Sequence, residues 1–280
     1  MIKRTLKFIG KTLLLSVAVS PLIFLANQDT IFTTMNPDVK TTFVINGEIT
    51  EVHAAQFQMF MNANNATIVP ARELTIIITS PGGSVRAGAK IIDLMHQSRS
   101  KIHTVADGIA FSMAASIFAE GDTRTITSHT YLLFHEVRQQ AYGQDLLDDD
   151  FVEMADSVAD VHKIMQDLRD PTNPFSLLSE EVKAQVLIQR GLALFKTKAL
   201  AKLGVILQGL AATKNDVVEV RDHLLMVADM LHKDNVESID SIHKKTGVSF
   251  STLDKLMNNN KDNLVSPDQA LDLGIATEVR

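Results

Sequence analysis

The chain has 280 residues, 45% of them hydrophobic and 21% charged, which is enough apolar material for one large core or two smaller ones. Its formal charge is −6, and four of its cations (Lys3, Arg4, Lys7 and Lys11) sit at the extreme N-terminus. The rest is more acidic still and makes a poor partner for nucleic acid. The chain has no cysteine, so disulfides, thiol nucleophiles and thiolate metal sites are excluded.

Residues 1–26 have the layout of a targeting segment. The basic start is followed by an apolar run, Leu13 to Ala26, interrupted only by Ser16, Ser20 and Pro21. This is a charged n-region followed by a short h-region, as in a signal peptide or membrane anchor. The implied location is the periplasm or cell envelope, with membrane association through residues 1–26. If the segment is instead a soluble amphipathic helix, the protein is cytoplasmic. No small-x-small site stands out, since Phe24 is too large for cleavage after Ala26. Residues 27–40 are polar, contain Pro37 and read as a linker.

The remaining 41–280 form the main domain. Thr42 to Gly47 reads as a buried strand ending in a turn, and Glu51 to Ala63 as a helix. Leu74 to Thr79 is apolar almost throughout, as in a strand covered on both faces. Ser80-Pro81-Gly82-Gly83-Ser84-Val85 follows directly, and Ala87 to Gln97 is the next helix. A strand, a Gly-Gly turn and a helix can present backbone N–H groups to an anion. The turn also suits a tight connection needing positive φ. The Gly-Lys-Ser/Thr ending of a phosphate loop is missing.

The strand Ile102 to Val105 leads into Gly108-Ile109-Ala110-Phe111-Ser112-Met113, and Met113 to Ala119 reads as a buried helix. A serine at a helix start lies among free N–H groups at the positive end of the dipole. By itself it equally suits a capping serine. A polar turn surrounds Gly121 and Asp122, and Tyr131 to Glu136 is a strand with His135 near its end. A lone histidine there serves as structural hydrogen-bonder or as base.

Ala141 to Asp150 is polar and acidic, and its run of aspartates reads as a solvated face or loop. Helices are expected over Phe151–Leu168, Ser179–Gln189, Ala193–Gly209, Val217–His232, Val236–Lys244 and Ser251–Asn258. Pro267 starts a short helix, and Ile275 to Val279 forms a terminal strand.

Four motifs in order carry a resemblance: Ser80-Pro81-Gly82-Gly83-Ser84-Val85; Gly108-x-Ala110-x-Ser112-Met113-Ala114; the strand ending in Phe134-His135; and Lys261-Asp262-Asn263-Leu264-Val265-Ser266. Gln269-Ala270-Leu271-Asp272-Leu273-Gly274-Ile275 follows the last. The segments Val44–His135 and Asp222–Val279 resemble the Clp protease proteolytic subunit family, serine peptidases of the crotonase-like fold. The resemblance implies an α/β fold of repeated ββα units and peptide-bond hydrolysis by a Ser-His-Asp triad. Ser112 matches the nucleophile, His135 the general base and Asp262 the orienting acid, although Asp254 and Asp268 lie nearby. The N–H groups of Gly83 and Met113 match the oxyanion hole.

No cofactor or metal is implied. The implied substrate is a peptide or unfolded protein, and the implied assembly is a homo-oligomeric ring. Glu136-Val137 stands where the family has Gln-Pro, and about 171–215 is an extra helical insertion beside the family's stacking handle. An ATPase partner is not carried over, and the chain has no nucleotide-binding motif of its own. A membrane protease with a serine–lysine dyad, a silent adaptor on the same fold and an acyl-CoA enzyme are the alternatives.

Overall fold

A computed structural model describes residues 28–141, 144–169, 172, 214–259 and 261–280. The segment 1–26 and the helices expected over Ser179–Gln189 and Ala193–Gly209 lie outside the described residues. The insertion expected at about 171–215 lies almost wholly outside them.

The chain divides into two compact units. The first comprises Met1–Phe134, Ser241–Thr252 and Asp262–Arg280; the second comprises His135–Asp240 and Leu253–Lys261.

In the first unit, strands and helices alternate: α1 (Gln28–Met35), β1 (Thr42–Asn46), α2 (Glu51–Asn65), β2 (Glu73–Ser80), α3 (Val85–His96), β3 (Lys101–Phe111), α4 (Met113–Ala119), β4 (Thr123–Ile126) and β5 (Tyr131–Phe134). Near the C-terminus come β8 (Asn263–Val265), α8 (Pro267–Asp272) and β9 (Glu278–Val279). The order β1-β2-β3-β4-β9 is parallel throughout. β5 runs parallel to the end of β3, and β8 pairs antiparallel with β5. The fold is α/β.

The apolar runs explain the layers. Leu74, Ile76 and Ile78 of β2 are fully buried, as are Ile91 and Ala87 of α3 and Ala54, Phe57 and Met61 of α2. Each large side chain removed from water contributes about 1.5–3 kcal/mol. Every residue of α4 is buried, which its small side chains permit where it packs against β3. The capping box of α8 joins Ser266 and Gln269 reciprocally, with Pro267 in the first turn as the sequence suggested.

Several elements differ from the sequence expectation. The stretch read as linker contains α1, whose Phe32 is buried. β3 runs on to Phe111 rather than ending near Val105, because it changes partner at Gly108. Ala106 is in register with Ile126 of β4, whereas Ile109 is in register with Tyr131 of β5. Gly108 takes φ +87 there, and its N–H donates to Thr130 Oγ1 at 2.7 Å. β4, which contains Arg124, directly follows the turn expected around Gly121 and Asp122 and has no counterpart in the sequence expectation. The Arg124 side chain is buried, donating to the carbonyls of Gly121, Ile275 and Gly274 at 2.8, 2.6 and 3.1 Å. β9 is shorter than the expected strand, and Ile275 and Ala276 before it are buried. The buried carboxylate of Glu120 uses both oxygens, one 2.8 Å from His96 Nε2 and one accepting from Ser241 Oγ at 2.6 Å.

The second unit is mainly helical. A hairpin of β6 (Gln139–Ala141) and β7 (Gln144–Leu146) precedes α5 (Asp148–Arg169). The acidic run, expected as a solvated face or loop, opens this helix. Asp148, Asp149 and Asp150 occupy its first turn, where negative charge meets the positive end of the dipole. Asp150 also accepts from the Leu147 N–H at 2.9 Å. α6 (Lys214–Thr246) is one helix where two were expected, and its last turns belong to the first unit. Leu224, Ala228 and Leu231 line it at three- and four-residue spacing. With Leu146, Phe151, Met154, Ala155 and Val158 they form this unit's core. α7 (Phe250–Met257) buries Leu253 and Met257. Among the described residues no helix is long and apolar enough to cross a membrane.

Candidate active site

Ser112 stands between β3 and α4 with φ 55 and ψ −126. It is the one non-glycine residue with positive φ among those described. Such a backbone costs about 1–3 kcal/mol and persists only where its surroundings enforce it. They do so here from both sides of the residue. Its N–H donates to the Leu133 carbonyl at 2.7 Å, and its carbonyl accepts from Ala115 and Ser116 at 2.9 and 3.2 Å. Ser112 occupies the N-cap position of α4, yet its side chain makes no capping hydrogen bond. The capping explanation for this serine therefore fails. By contrast, Ser84 at the start of α3 does cap, accepting from Ala87 N–H at 3.1 Å.

The Ser80–Ser84 turn is pressed against this elbow. Gly82 has φ +98, and a Cβ there would lie 2.7 Å from the Phe111 carbonyl oxygen, 2.8 Å from Ser112 Cβ and 3.3 Å from Met113 N. Gly83 has φ +145, and a Cβ there would lie 2.3 Å from the Ile49 carbonyl oxygen. The turn is tied down by Ile49 N–H to Gly82 O at 2.7 Å, Ser84 N–H to Ile49 O at 2.9 Å and Gly82 N–H to Ser80 Oγ at 3.1 Å. Among the described residues, the N–H groups of Gly83 and Met113 donate to no acceptor. The first N–H groups of a helix lack intrahelical partners, so that of Met113 is available to an incoming oxygen. The Met113 side chain is buried over the notch at Gly88, where a Cβ would lie 2.2 Å from Met113 Cγ.

His135 opens the second unit directly after β5 and is half-buried. Its Nδ1 lies 2.6 Å from the carbonyl oxygen of Glu136. Asp262 is exposed and immediately precedes β8, whose Asn263 is in register with Phe134. Of the neighbouring carboxylates, Asp254 accepts from Asn258 Nδ2 at 3.1 Å, and Asp268 lies in the first turn of α8.

The close approach of Gly82 to Ser112, the Gly88 notch and the Glu136 carbonyl were not read from the sequence. The first had a signal in the doubled glycine. The last had none, because every residue carries a carbonyl. Among the described residues no group of three or more His, Asp or Glu could hold a metal ion.

This chain is similar to three ATP-dependent Clp protease proteolytic subunits. The one from Pleurastrum terricola is 38% identical over 76 residues, covering 26% of this chain and 39% of that protein. The one from Bacteroides thetaiotaomicron is 36% identical over 80 residues, covering 28% and 36%. The one from Ostreococcus tauri is 33% identical over 88 residues, covering 31% and 42%. The chain thus spans less than half the length of each of these relatives. A family model described as Clp protease matches residues 28–172, more than half of the sequence, from α1 through the strained serine and His135 to the end of α5. The chain belongs to the Clp protease family.

Proposed function

We propose that this chain is a serine endopeptidase in which Ser112 is the nucleophile, His135 the general base and Asp262 the acid of a Ser-His-Asp triad. The N–H groups of Gly83 and Met113 form the oxyanion hole. The observation that carries this reading is the backbone of Ser112. Its strained φ and ψ come with a hydroxyl left out of the helix cap, beside two N–H groups that donate to nothing among the described residues. Strain of this kind is kept where it aims a side chain for chemistry.

In the proposed reaction, Ser112 Oγ attacks the scissile carbonyl carbon while its proton passes to His135 Nε2. The substrate oxygen becomes an oxyanion held by Gly83 and Met113, each donor contributing about 3 kcal/mol to the transition state. His135 then gives its proton to the leaving amine. Water repeats the sequence on the acyl-serine, returning the acid product and the free hydroxyl. No cofactor enters this chemistry.

The proposed substrates are peptides and unfolded proteins, and the proposed assembly is a homo-oligomeric ring. The relatives are named as proteolytic subunits of ATP-dependent proteases. An ATPase partner for this chain, which its sequence motifs alone do not imply, is proposed on those names alone. The basic and apolar segment 1–26 supports an exported or membrane-attached setting, and cell fractionation tests that part.

Fluorophosphonate labelling of the full chain, with the adduct mapped by mass spectrometry, tests the chemistry. Labelling at Ser112, abolished in Ser112→Ala and His135→Ala, is the expected result. A folded protein that takes no label would overturn the reading.

A further inference from the structure

We propose that Gly88 is a positioning residue for the oxyanion hole. Its bare backbone is a socket for the Met113 side chain, and this contact sets how far apart the N–H groups of Gly83 and Met113 stand. The inference rests on the reading of those two groups as the oxyanion donors.

Gly88 is the fourth residue of α3 and is buried. Its N–H donates to the Ser84 carbonyl at 3.0 Å, as in a regular helix. No turn, cap or positive φ asks for glycine at this place, and glycine is the poorest helix former after proline. The neighbour accounts for it. An added Cβ would lie 2.2 Å from Met113 Cγ, 2.5 Å from Sδ and 2.9 Å from Cε. Met113 is the first residue of α4 and is only 8% exposed. Its thioether fills the space where any other residue at position 88 would carry a Cβ.

What lies at either end of the socket gives it a role in the reaction. Within the same turn of α3, Ser84 caps the helix through Ala87 N–H at 3.1 Å and directly follows Gly83. Gly83 is itself held by a bridge to Ile49. On the other side, Met113 carries its N–H on the very residue whose side chain is seated at Gly88. Each donor thus stands at the start of a helix, and α3 and α4 meet at Gly88 and Met113. Two donors hold one developing oxyanion only if both come within about 2.7–3.1 Å of it. Their separation is the quantity that this contact fixes. The thioether bends freely beyond Cγ, but Cγ moves only with χ1 or with the backbone of Met113. A methyl at position 88 would meet Cγ first, so it pushes on residue 113 and on the donor that residue carries.

Fluorophosphonate labelling of Ser112 over a range of probe concentrations gives a maximal rate and a half-saturating concentration. The full chain is compared with Gly88→Ala, Met113→Ala and the two combined, each checked for folding by circular dichroism. The maximal rate should fall by roughly 10–100-fold in Gly88→Ala, the cost of misplacing one oxyanion donor. It should fall by roughly tenfold in Met113→Ala, which keeps the N–H and empties the socket. In the double variant the added methyl takes up space that Cγ, Sδ and Cε have left, and the rate should return to within about threefold of wild type. The half-saturating concentration should stay within about twofold throughout, because the donors act on the transition state.

A glycine kept only for helix packing would leave the rate of the folded protein unchanged and give no such recovery. Gly88→Ala labelling at the wild-type maximal rate would therefore overturn the proposal. So would a double variant no faster than Met113→Ala, or a loss carried by the half-saturating concentration alone. The comparison of the double variant with Met113→Ala decides the matter even if Gly88→Ala does not fold. If the wild type takes no label, the reading of Ser112 fails and this proposal fails with it. A labelled wild type beside an indifferent Gly88→Ala overturns this proposal alone.

Discussion

Replacing Gly82 by alanine separates two costs that the structure lets one compute apart. The new methyl would lie 2.7 Å from the Phe111 carbonyl oxygen and 2.8 Å from Ser112 Cβ, where ordinary contact begins at 3.4 Å. Neither neighbour is the loose end of a flexible chain, so backbone must move. Positive φ alone costs alanine about 1 kcal/mol, and overpacking of this kind adds about 1–3 kcal/mol. The total is about 3 kcal/mol, or roughly 6–12 °C of thermal midpoint for a protein of this size. Gly47 provides the control. It has φ +82, and a Cβ added there would meet nothing within 4 Å, so Gly47→Ala should show only the first cost, about 1 kcal/mol. The assay pairs calorimetric midpoints with the rate of fluorophosphonate labelling. Displacing Ser112 Cβ and Met113 N by a few tenths of an ångström should slow labelling by roughly 10–100-fold, whereas Gly47→Ala should leave it unchanged. A Gly82→Ala protein that labels at the wild-type rate and melts with Gly47→Ala would refute the argument that this turn is wedged against the serine.

Two other substitutions follow from the same geometry. Ser84→Ala removes a side chain that caps α3 through Ala87 N–H and should cost about 1 kcal/mol in urea denaturation. Ser112→Ala removes a side chain that caps nothing and should leave stability within about 0.5 kcal/mol while abolishing labelling. Among the described residues, Asp122 is a carboxyl that makes stability depend on pH. Burial pushes the Asp122 carboxyl up, but the Ile102 N–H and the Lys245 ammonium at 2.6 Å outweigh it and hold the group below its ordinary range. A carboxyl depressed in the folded state adds stability that is complete above its unfolded value, about 4, and is lost as pH falls through the folded value. The stability gap between wild type and Asp122→Asn should therefore close below about pH 4 and shrink in high salt, as read from denaturation curves.

The parts of the fold that were legible are those whose pattern matches their burial. β2 buries Leu74, Ile76 and Ile78 fully on one face, and α4, which packs against β2 and β3, announced itself by a run of small apolar residues that all prove buried. β4 was hidden because Arg124 sits in it, and nothing local says that its guanidinium will be satisfied by carbonyls some 150 residues away. β3 was expected to stop short of Asp107-Gly108 because a glycine breaks most strands. Here the same glycine lets the strand turn from β4 to β5. The polar stretch from Lys233 to Asn235 looked like an interruption of α6, yet it contains no proline or glycine, and the helix runs through it. At the site, the identity and spacing of Ser112 and His135 could be read. The φ of Ser112 and the carbonyl at His135 could not, since both are properties of the backbone.

The strain at Ser112 leads to a further substitution whose sign is opposite to most. A glycine at that position would accept φ 55 and ψ −126 without the clash a Cβ makes there, relieving roughly 2 kcal/mol. Against this stands the greater freedom of glycine in the unfolded chain, roughly 0.7 kcal/mol. The hydroxyl contributes no cap bond whose loss must be added. Ser112→Gly should thus be more stable than wild type by about 1 kcal/mol and take no fluorophosphonate. Ser112→Ala keeps the Cβ and the strain, so it should not show the gain. The comparison matters because a serine kept only as a cap would place Ser112→Gly below wild type rather than above it. A capping serine replaced by glycine loses a few tenths of a kcal/mol, and one replaced by alanine about 1 kcal/mol. If urea denaturation places Ser112→Gly at or below wild type, the backbone of this elbow is not strained. The main physical reason for assigning it to catalysis then disappears.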